Sequence, residues 1–376
     1  MNQIAILYGG KSGEHDISRI SAAAVYKNMP QHYSVILIGI HTDGAWYLQE
    51  TPPETPSEPP KALTIETDEK RRVSMVPSGG LKDAQGNTLN IHAALPILHG
   101  SFGEDGRIQG LLEIAGIPYA GSGVLGSSLS MDKDMTKRVW RDAGLPVVPW
   151  HTLRFSSEAP QNRLQGKLSA EQIFNRQPSA EQLFGELGSP LFVKPANAGS
   201  SVGVSCVKNE AELKTALRKA AQFDRKVLVE QAVSGREIEC AVIGRNKIRS
   251  FAPGEIIPAG SHSFYDYDAK YTDPDGALLK VPARLTEEES STIRTLAEKA
   301  YKSVEASGFS RVDFLREEKS GQIYLNEINT IPGMTSISLF PRMAGNGGVD
   351  FPQLIDIFIQ DALAEAEWRA SLNYHR

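Results

Sequence analysis

The sequence predicts an α/β domain built on a parallel sheet at the N-terminus, with α+β structure after it. Three observations carry this reading. The chain has 376 residues, more than one hydrophobic core usually organises, so two or three domains are expected. Residues 3–40 run strand, glycine-rich turn, helix, strand. That βαβ order gives parallel pairing and puts ligands at the carboxyl ends of the strands. Near the other end, Arg311–Leu315 and Ile323–Asn329 alternate polar and apolar residues on either side of the polar turn Glu317–Gly321, as a hairpin does.

Composition narrows the function classes. The chain is 40% hydrophobic and 23% charged, with net charge −5, which is ordinary for a globular protein. Without a basic excess, nucleic acid is not the expected partner. Cys206 and Cys240 lie in separate apolar stretches, so neither a metal-binding spacing nor a disulfide framework is read. Met1–Tyr8 has no basic leader, and no apolar run reaches membrane length. A cytoplasmic protein without membrane association is expected.

Residues 3–8 read as a buried strand, Gly9–Asp16 as a glycine-rich turn, Ile17–Met29 as a helix and Tyr33–Ile40 as a second strand. The turn lacks both the Walker closure and the dinucleotide fingerprint. Glu14 within it reads either as an acid complementing the helix dipole or as a carboxylate aimed at a cationic ligand. Residues 51–90 hold a surface hairpin or linker. Ala93–Leu98 is a strand that runs into a second glycine-rich loop beginning at His99, followed by a helix over Ile108–Ala115. Ser130–Lys137 opens a helix that ends near Gly144.

Residues 155–187 carry a short repeat, Ser169–Phe174 and Ser179–Phe184, which marks a surface insertion. Leu191–Pro195 is a strand bearing Lys194. The loop Ala196–Val204 follows, with side chains small enough for backbone N–H groups to close on phosphate. Glu210–Ala221 is a helix. The strand Lys226–Glu230 then turns at Ser234-Gly235 into the strand Arg236–Ile243. Free backbone groups there can read an adenine edge, and Glu237 can accept from ribose hydroxyls. Residues 260–284 are loop-like and rich in aromatic and charged groups, the composition of a lid. Glu287–Ala306 and Phe351–Trp368 are helices.

The hairpin concentrates the chemistry. Residues two apart on a strand share a face, so Arg311 sits with Asp313, and Glu327 with Asn329. Asp313 and Glu327 lie symmetrically about Ser320, which places them side by side. Two carboxylates and an amide oxygen, with no Cys or His, suit a hard cation, Mg²⁺ best. Without one, the carboxylates repel each other. Taken alone, the segment reads equally as an exposed hairpin with scattered acids.

Taken in order, several motifs resemble the ATP-grasp superfamily and, within it, the D-alanine–D-alanine ligase family. They are Gly9–His15, His99-Gly100 with Gly103–Gly106, Ser130–Lys133, Lys194-Pro195 with Gly199–Gly203, Ala269–Tyr271, and Glu327 and Asn329 with Pro332–Thr335. The resemblance spans about residues 1–365. It implies an N-terminal parallel-sheet domain, 1–129, followed by a two-lobed ATP-grasp fold. The central lobe would be 130–232, with the insertion at 155–187, and the C-terminal lobe 233–376, with a lid at 260–284. It also implies ATP-dependent joining of two D-alanine molecules through an acyl phosphate, for peptidoglycan precursors.

By similarity, Lys133, Lys194, Gly199, Ser201 and Val202 hold the ATP phosphates, and Lys270 reaches the transferred one. Glu230, with the backbone at Ala232 and Val233, reads adenine, and Glu237 reads ribose. Asp313, Glu327 and Asn329 bind two Mg²⁺ or Mn²⁺ ions. Glu14 pairs with the ammonium of the first D-alanine, near His99, and forms a lid-closing set with Ser200 and Tyr271. Arg311 and the N–H of Gly333 stabilise the oxyanion, and Ser338 with the N–H of Leu339 holds the second carboxylate. Gln231 stands where the family commonly has Lys. Tyr271 stands where depsipeptide-forming relatives tend to carry His, so a dipeptide product is expected. The alternatives are a second substrate of D-lactate or D-serine, or a nucleotide-binding homologue without catalysis. The family is usually dimeric, so a homodimer is expected.

Overall fold

The computed structural model describes residues 1–51, 61–155, 169, 177–258 and 277–373. Lys270, Tyr271, most of the lid and the first copy of the short repeat beyond Ser169 lie outside the described residues.

In the first sheet β1 (Asn2–Gly9) pairs in parallel with β2 (Tyr33–Ile40) and with the edge strand β6 (Ala93–Ile97). Ile4, Ala5, Ile6 and Leu7 are fully buried, as a strand covered on both faces requires. The strands β3 (Trp46–Gln49), β4 (Arg72–Val76) and β5 (Gly80–Lys82) extend the sheet antiparallel, and β4–β5 is the hairpin expected between 51 and 90. Helices α1 (His15–Lys27) and α2 (Arg107–Ala115) start just beyond the carboxyl ends of β1 and β6. The sharp exit from β1 depends on glycine. Gly9 has φ +91°, and a Cβ there would meet the Ile40 carbonyl oxygen at 2.3 Å.

Where the sequence predicts one helix from Ser130, two form: α3 (Val124–Met131) and α4 (Lys133–Asp142). Asp132 is extended between them, and its carboxylate accepts from Met135 N, capping α4. It also pairs with Lys226. Trp140 of α4 is fully buried and donates to the Ala300 carbonyl at 3.1 Å.

The central sheet has the order β7-β10-β8-β9, formed by β7 (Trp150–Arg154), β8 (Leu191–Pro195), β9 (Ser205–Val207) and β10 (Lys226–Gln231). Helices α5 (Ala180–Leu187) and α6 (Glu210–Ala220) share a core with Leu191, Val193, Val227 and Val229. By the period-two rule, Lys194 and Glu230 therefore point from the opposite face.

The third sheet is built from β11 (Gly235–Ile243), β12 (Arg249–Ser250), β13 (Gly254–Pro258), β14 (Ala277–Lys280), β15 (Phe309–Glu317) and β16 (Ile323–Asn329). Helix α7 (Glu287–Ser303) covers the face of Ile238, Cys240, Val312 and Phe314. This leaves Glu239, Arg311 and Asp313 on the other face. Residues 277–280, expected in a loop, are a strand paired with β13; four residues carry too little alternation to show it in sequence. Helix α8 (Leu339–Asn346) packs against β11 and against α9 (Phe351–Ala370), and α9 returns to the first sheet, where Phe358 and Ile359 share a core with Ile4 and Ile6. No described helix is long and apolar enough to cross a membrane.

Candidate active site

The closing hairpin pairs in the register read from sequence, with Arg311 opposite Asn329 and Asp313 opposite Glu327. Nearer the turn the register slips by one, so that Phe314 faces Leu325 and Asn326 is left over as a bulge. Strict alternation would put Leu325, Glu327 and Asn329 on one face. The extra residue changes phase, so Leu325 and Ile328 both enter the core while Glu327 and Asn329 line the cleft. The bulged Asn326 accepts from Lys194 Nζ at 3.3 Å.

Cations from this chain sit on both carboxylates. Arg311 holds Asp313 in a two-pronged pair at 2.7 and 2.6 Å and reaches Glu239 at 3.1 Å. Lys133, at the start of α4, lies 3.2 Å from Glu327 Oε2 and donates to the Ala198 carbonyl at 2.8 Å. The Asn329 amide oxygen accepts from Ile331 N at 3.2 Å.

A cavity of about 360 Å³ opens over this hairpin. Glu14, Ser21 and His99 line it from the first sheet, and Gly199 and Ser200 from the small-residue loop. Gly333, Ser338 and Leu339 line it from the segment that leads into α8. Glu14 stands at the N-terminus of α1, and its Oε1 accepts from Ser200 Oγ. Gly100 and Gly199 both leave room for this carboxylate, since a Cβ would fall 2.5 and 2.8 Å from Glu14 Oε2. Ser200 and Ser201 hold left-handed φ values of 49° and 59°. Such strain in consecutive non-glycine residues concentrates at functional loops.

His99 is buried, and burial pushes its imidazole pKa down. Nδ1 faces the Ile331 carbonyl at 2.9 Å and must donate to it, so the neutral ring accepts from Ser21 Oγ at Nε2, also at 2.9 Å. Glu104 is buried beside it and accepts from Gly100 N at 2.9 Å and Ile331 N at 3.1 Å. Burial and the nearby Glu14 charge push its carboxyl up to about 8. Gly333 packs against Ser338, whose Oγ a Cβ at 333 would meet at 2.8 Å. Ser338 precedes α8, so the Leu339 N–H stands at a helix N-terminus, where an anion is favoured.

Asp313, Lys194, Glu230, Ala232, Val233 and Glu237 lie outside the lining of that cavity. Glu230 is buried and pairs through Oε2 with Lys194 at 2.7 Å. The Ala232 N–H donates to the Pro190 carbonyl at 3.2 Å, so any base contact from Ala232 falls to its carbonyl. Glu237 is half-buried on β11, one strand from the Asp313 strand and opposite Leu315. Val202 closes the small-residue loop by donating to the Gly199 carbonyl at 3.1 Å.

Two family models match the sequence: D-ala D-ala ligase N-terminus over residues 3–122 and D-ala D-ala ligase C-terminus over residues 139–360. The chain belongs to the D-alanine–D-alanine ligase family. It is 44% identical to a D-alanine–D-alanine ligase of Treponema denticola over 96% of this chain and 95% of that protein. It is 41% identical to D-alanine–D-alanine ligase A of Chromobacterium violaceum, covering 99% of this chain and 98% of that one. Among solved structures, the D-alanine–D-alanine ligase of Coxiella burnetii superposes with a TM-score of 0.78 at 32% identity, covering 98% and 97% of the two chains. The VanG D-Ala:D-Ser ligase of Enterococcus faecalis does so with a TM-score of 0.75 at 33% identity, covering 96% and 99%.

The ligase fold also brings in residues that sequence reasoning missed. Glu104 sits inside a glycine-rich motif, where a helix-start acid is the ordinary reading, and Glu239 alternates with core residues on β11. Asn326 breaks an alternation that looks regular. Lys137 reads as one more lysine on a charged helix.

Proposed function

We propose that the protein catalyses ATP-dependent formation of D-alanyl-D-alanine through an acyl phosphate, for peptidoglycan precursor synthesis. The observation that carries this is the convergence of Arg311, Glu327 and Asn329 with Glu14 and Ser200 on one cavity, with Lys133 bridging to the hairpin.

A carboxylate is a poor electrophile until it is activated. Phosphoryl transfer from ATP to the first D-alanine makes it an acyl phosphate, the amine of the second attacks, and phosphate leaves. Glu14 orients the first substrate by its ammonium group, and Ser200 fixes that carboxylate. Lys133 and Lys194, with the backbone of Gly199–Val202, neutralise phosphate charge. Lys270 takes part in the same work, and Tyr271 closes with Glu14 and Ser200. Glu230 and the 232–233 backbone read adenine, and Glu237 the ribose. Arg311 and the Gly333 N–H stabilise the tetrahedral oxyanion; losing one such donor typically costs about 10²–10³ in rate. Ser338 and the Leu339 N–H take the second carboxylate. His99, with both ring nitrogens engaged, orders the loop beside Glu14. Enclosure protects the acyl phosphate from water.

The metal set fits these residues. Asp313, Glu327 and Asn329 offer only hard oxygen donors, and their acids are matched in this structure by Arg311 and Lys133. Such donors suit Mg²⁺ or Mn²⁺, which shares its shell with water and phosphate oxygens. When bound, two such ions would supply charge neutralisation on the phosphate oxygens. The protein acts in the cytoplasm as a homodimer.

The test is phosphate release from ATP across D-alanine, D-serine, D-lactate and the L-amino acids. Release that requires D-alanine, with D-alanyl-D-alanine as the main product, is expected. Release independent of D-alanine, or mainly depsipeptide at neutral pH, overturns the reading. Glu327→Gln should fold and lose turnover; full activity would break the metal assignment.

A further inference from the structure

Lys137 lies one turn beyond Lys133 on α4, and its side chain has no exposed surface. The mechanism above does not use it. Burying an ammonium is costly unless it is paired, and here it has little choice of partner. Its Nζ lies 3.3 Å from Glu230 Oε1, 3.5 Å from the Val148 carbonyl, and 5.7 Å from the centre of the Trp150 ring.

Glu230 is thus flanked by two lysines, with Lys194 on Oε2 and Lys137 on Oε1. The two contacts differ. Lys194 also reaches Asn326 and belongs to the phosphate end of the cleft. Lys137 is enclosed and has nowhere else to go. Oε1 is buried against the Lys137 ammonium, and a carboxylate has more acceptor lone pairs than these two contacts occupy. Burial alone pushes the Glu230 carboxyl up, but Lys137 and Lys194 outweigh it and hold it below its ordinary range.

We propose that Lys137 is a positioning residue for base selection. Its ammonium keeps the Glu230 carboxylate charged and fixed, so that the carboxylate accepts from an exocyclic amine on the base and repels a carbonyl oxygen at the same ring position. The proposal rests on the adenine reading given to Glu230 above. A charged carboxylate can only accept, whereas a protonated one also donates. Adenine presents a donor at this edge and a 6-oxo purine an acceptor. When Lys194 turns to the phosphates, Lys137 is the counter-charge that stays behind. Without it, less positive charge opposes the upward push of burial on the Glu230 carboxyl, the carboxylate is held less firmly, and the distinction between the two bases weakens.

The experiment compares ATP with ITP, which differs at the 6-position, in D-alanine-dependent phosphate release by the full-length protein. Lys137→Met is expected to raise KM for ATP about tenfold with a smaller change in kcat, and to lower the ATP:ITP preference in kcat/KM by about tenfold. Glu230→Gln is the companion. If Glu230→Gln loses the preference while folded Lys137→Met keeps it, the role of Lys137 is overturned and the base reading stands. If Glu230→Gln keeps the preference, the base reading itself falls. Should Lys137→Met lack a cooperative thermal transition, Lys137→Gln decides in its place: a reduced ATP:ITP preference supports the proposal, and an unchanged one overturns it.

Discussion

Replacing Gly199 by alanine places one carbon against the Glu14 carboxylate, which is proposed to orient the first substrate. The three nearest atoms to the new Cβ all belong to Glu14: Oε2 at 2.8 Å, Cδ at 3.7 Å and Oε1 at 4.0 Å. Gly199 is not among the left-handed glycines, so alanine imposes no backbone strain of that kind. Ordinary van der Waals contact requires the carboxylate to retreat by at least about half an ångström. Ser200 Oγ holds the other oxygen, so a retreat bends that bond as well. Since a misplacement of about 1 Å can cost about 10² in rate, a shift half that size is expected to lower kcat/KM for D-alanine about tenfold, or ~1.4 kcal/mol. The Gly199 N–H remains, so KM for ATP should move less. Steady-state phosphate release with D-alanine varied at saturating ATP measures both, and thermal unfolding verifies the fold. A kcat/KM for D-alanine within about twofold of the parent would refute the placement of Glu14.

Arg236 grips Glu255 through two bonds of 2.6 and 2.7 Å, and Glu255 is buried. Arg236→Met should cost about 3 kcal/mol by urea unfolding at pH 7, because it leaves a buried carboxylate unpaired. Burial raises the Glu255 carboxyl, but the Arg236 bonds and the Arg284 N–H outweigh it and hold it low. The stability it contributes is therefore present above its ordinary value and lost as pH falls through the lower folded value. The variant should lack that acid-side loss. Glu104 has the opposite sign. Raised from 4.5 to about 8, it holds its proton in the fold while the unfolded chain releases it, so stability falls as pH climbs across that interval. Glu104→Gln turns an amide NH₂ toward one backbone N–H and should cost about 1–3 kcal/mol at pH 5. The deficit should narrow by pH 8, which denaturation midpoints at the two values would show; a constant deficit would contradict the assignment.

Much of this was legible in the chain because it was written locally. The βαβ opening, the glycine turns after β1 and β6, and the Asp313–Glu327 pairing all follow from neighbours in sequence. The rest depends on contacts that local pattern does not carry. The break at Asp132 is set by a cap and by Lys226 on a distant strand. The strand 277–280 exists because β13 is beside it. Glu14 reads from its turn as a helix-start acid, and only the fold adds its distant partner: it stands at the N-terminus of α1 and receives Ser200 from 186 positions away. Lys137 and Glu104 are polar residues whose burial only the packed molecule reveals.

The single surplus residue at Asn326 makes the strand β16 a counted object. Deleting it would restore regular pleating through the whole hairpin and keep Glu327 and Asn329 on the cleft face, with Leu325 and Ile328 still in the core, at the loss of the Asn326 contact to Lys194. Inserting one residue between Glu327 and Asn329 would instead exchange inside for outside from that point and turn Asn329 toward α7. Length changes in this hairpin are therefore tolerable at the turn around Ser320, where they alter only the loop, and not in the paired stretch from Glu327 to Asn329.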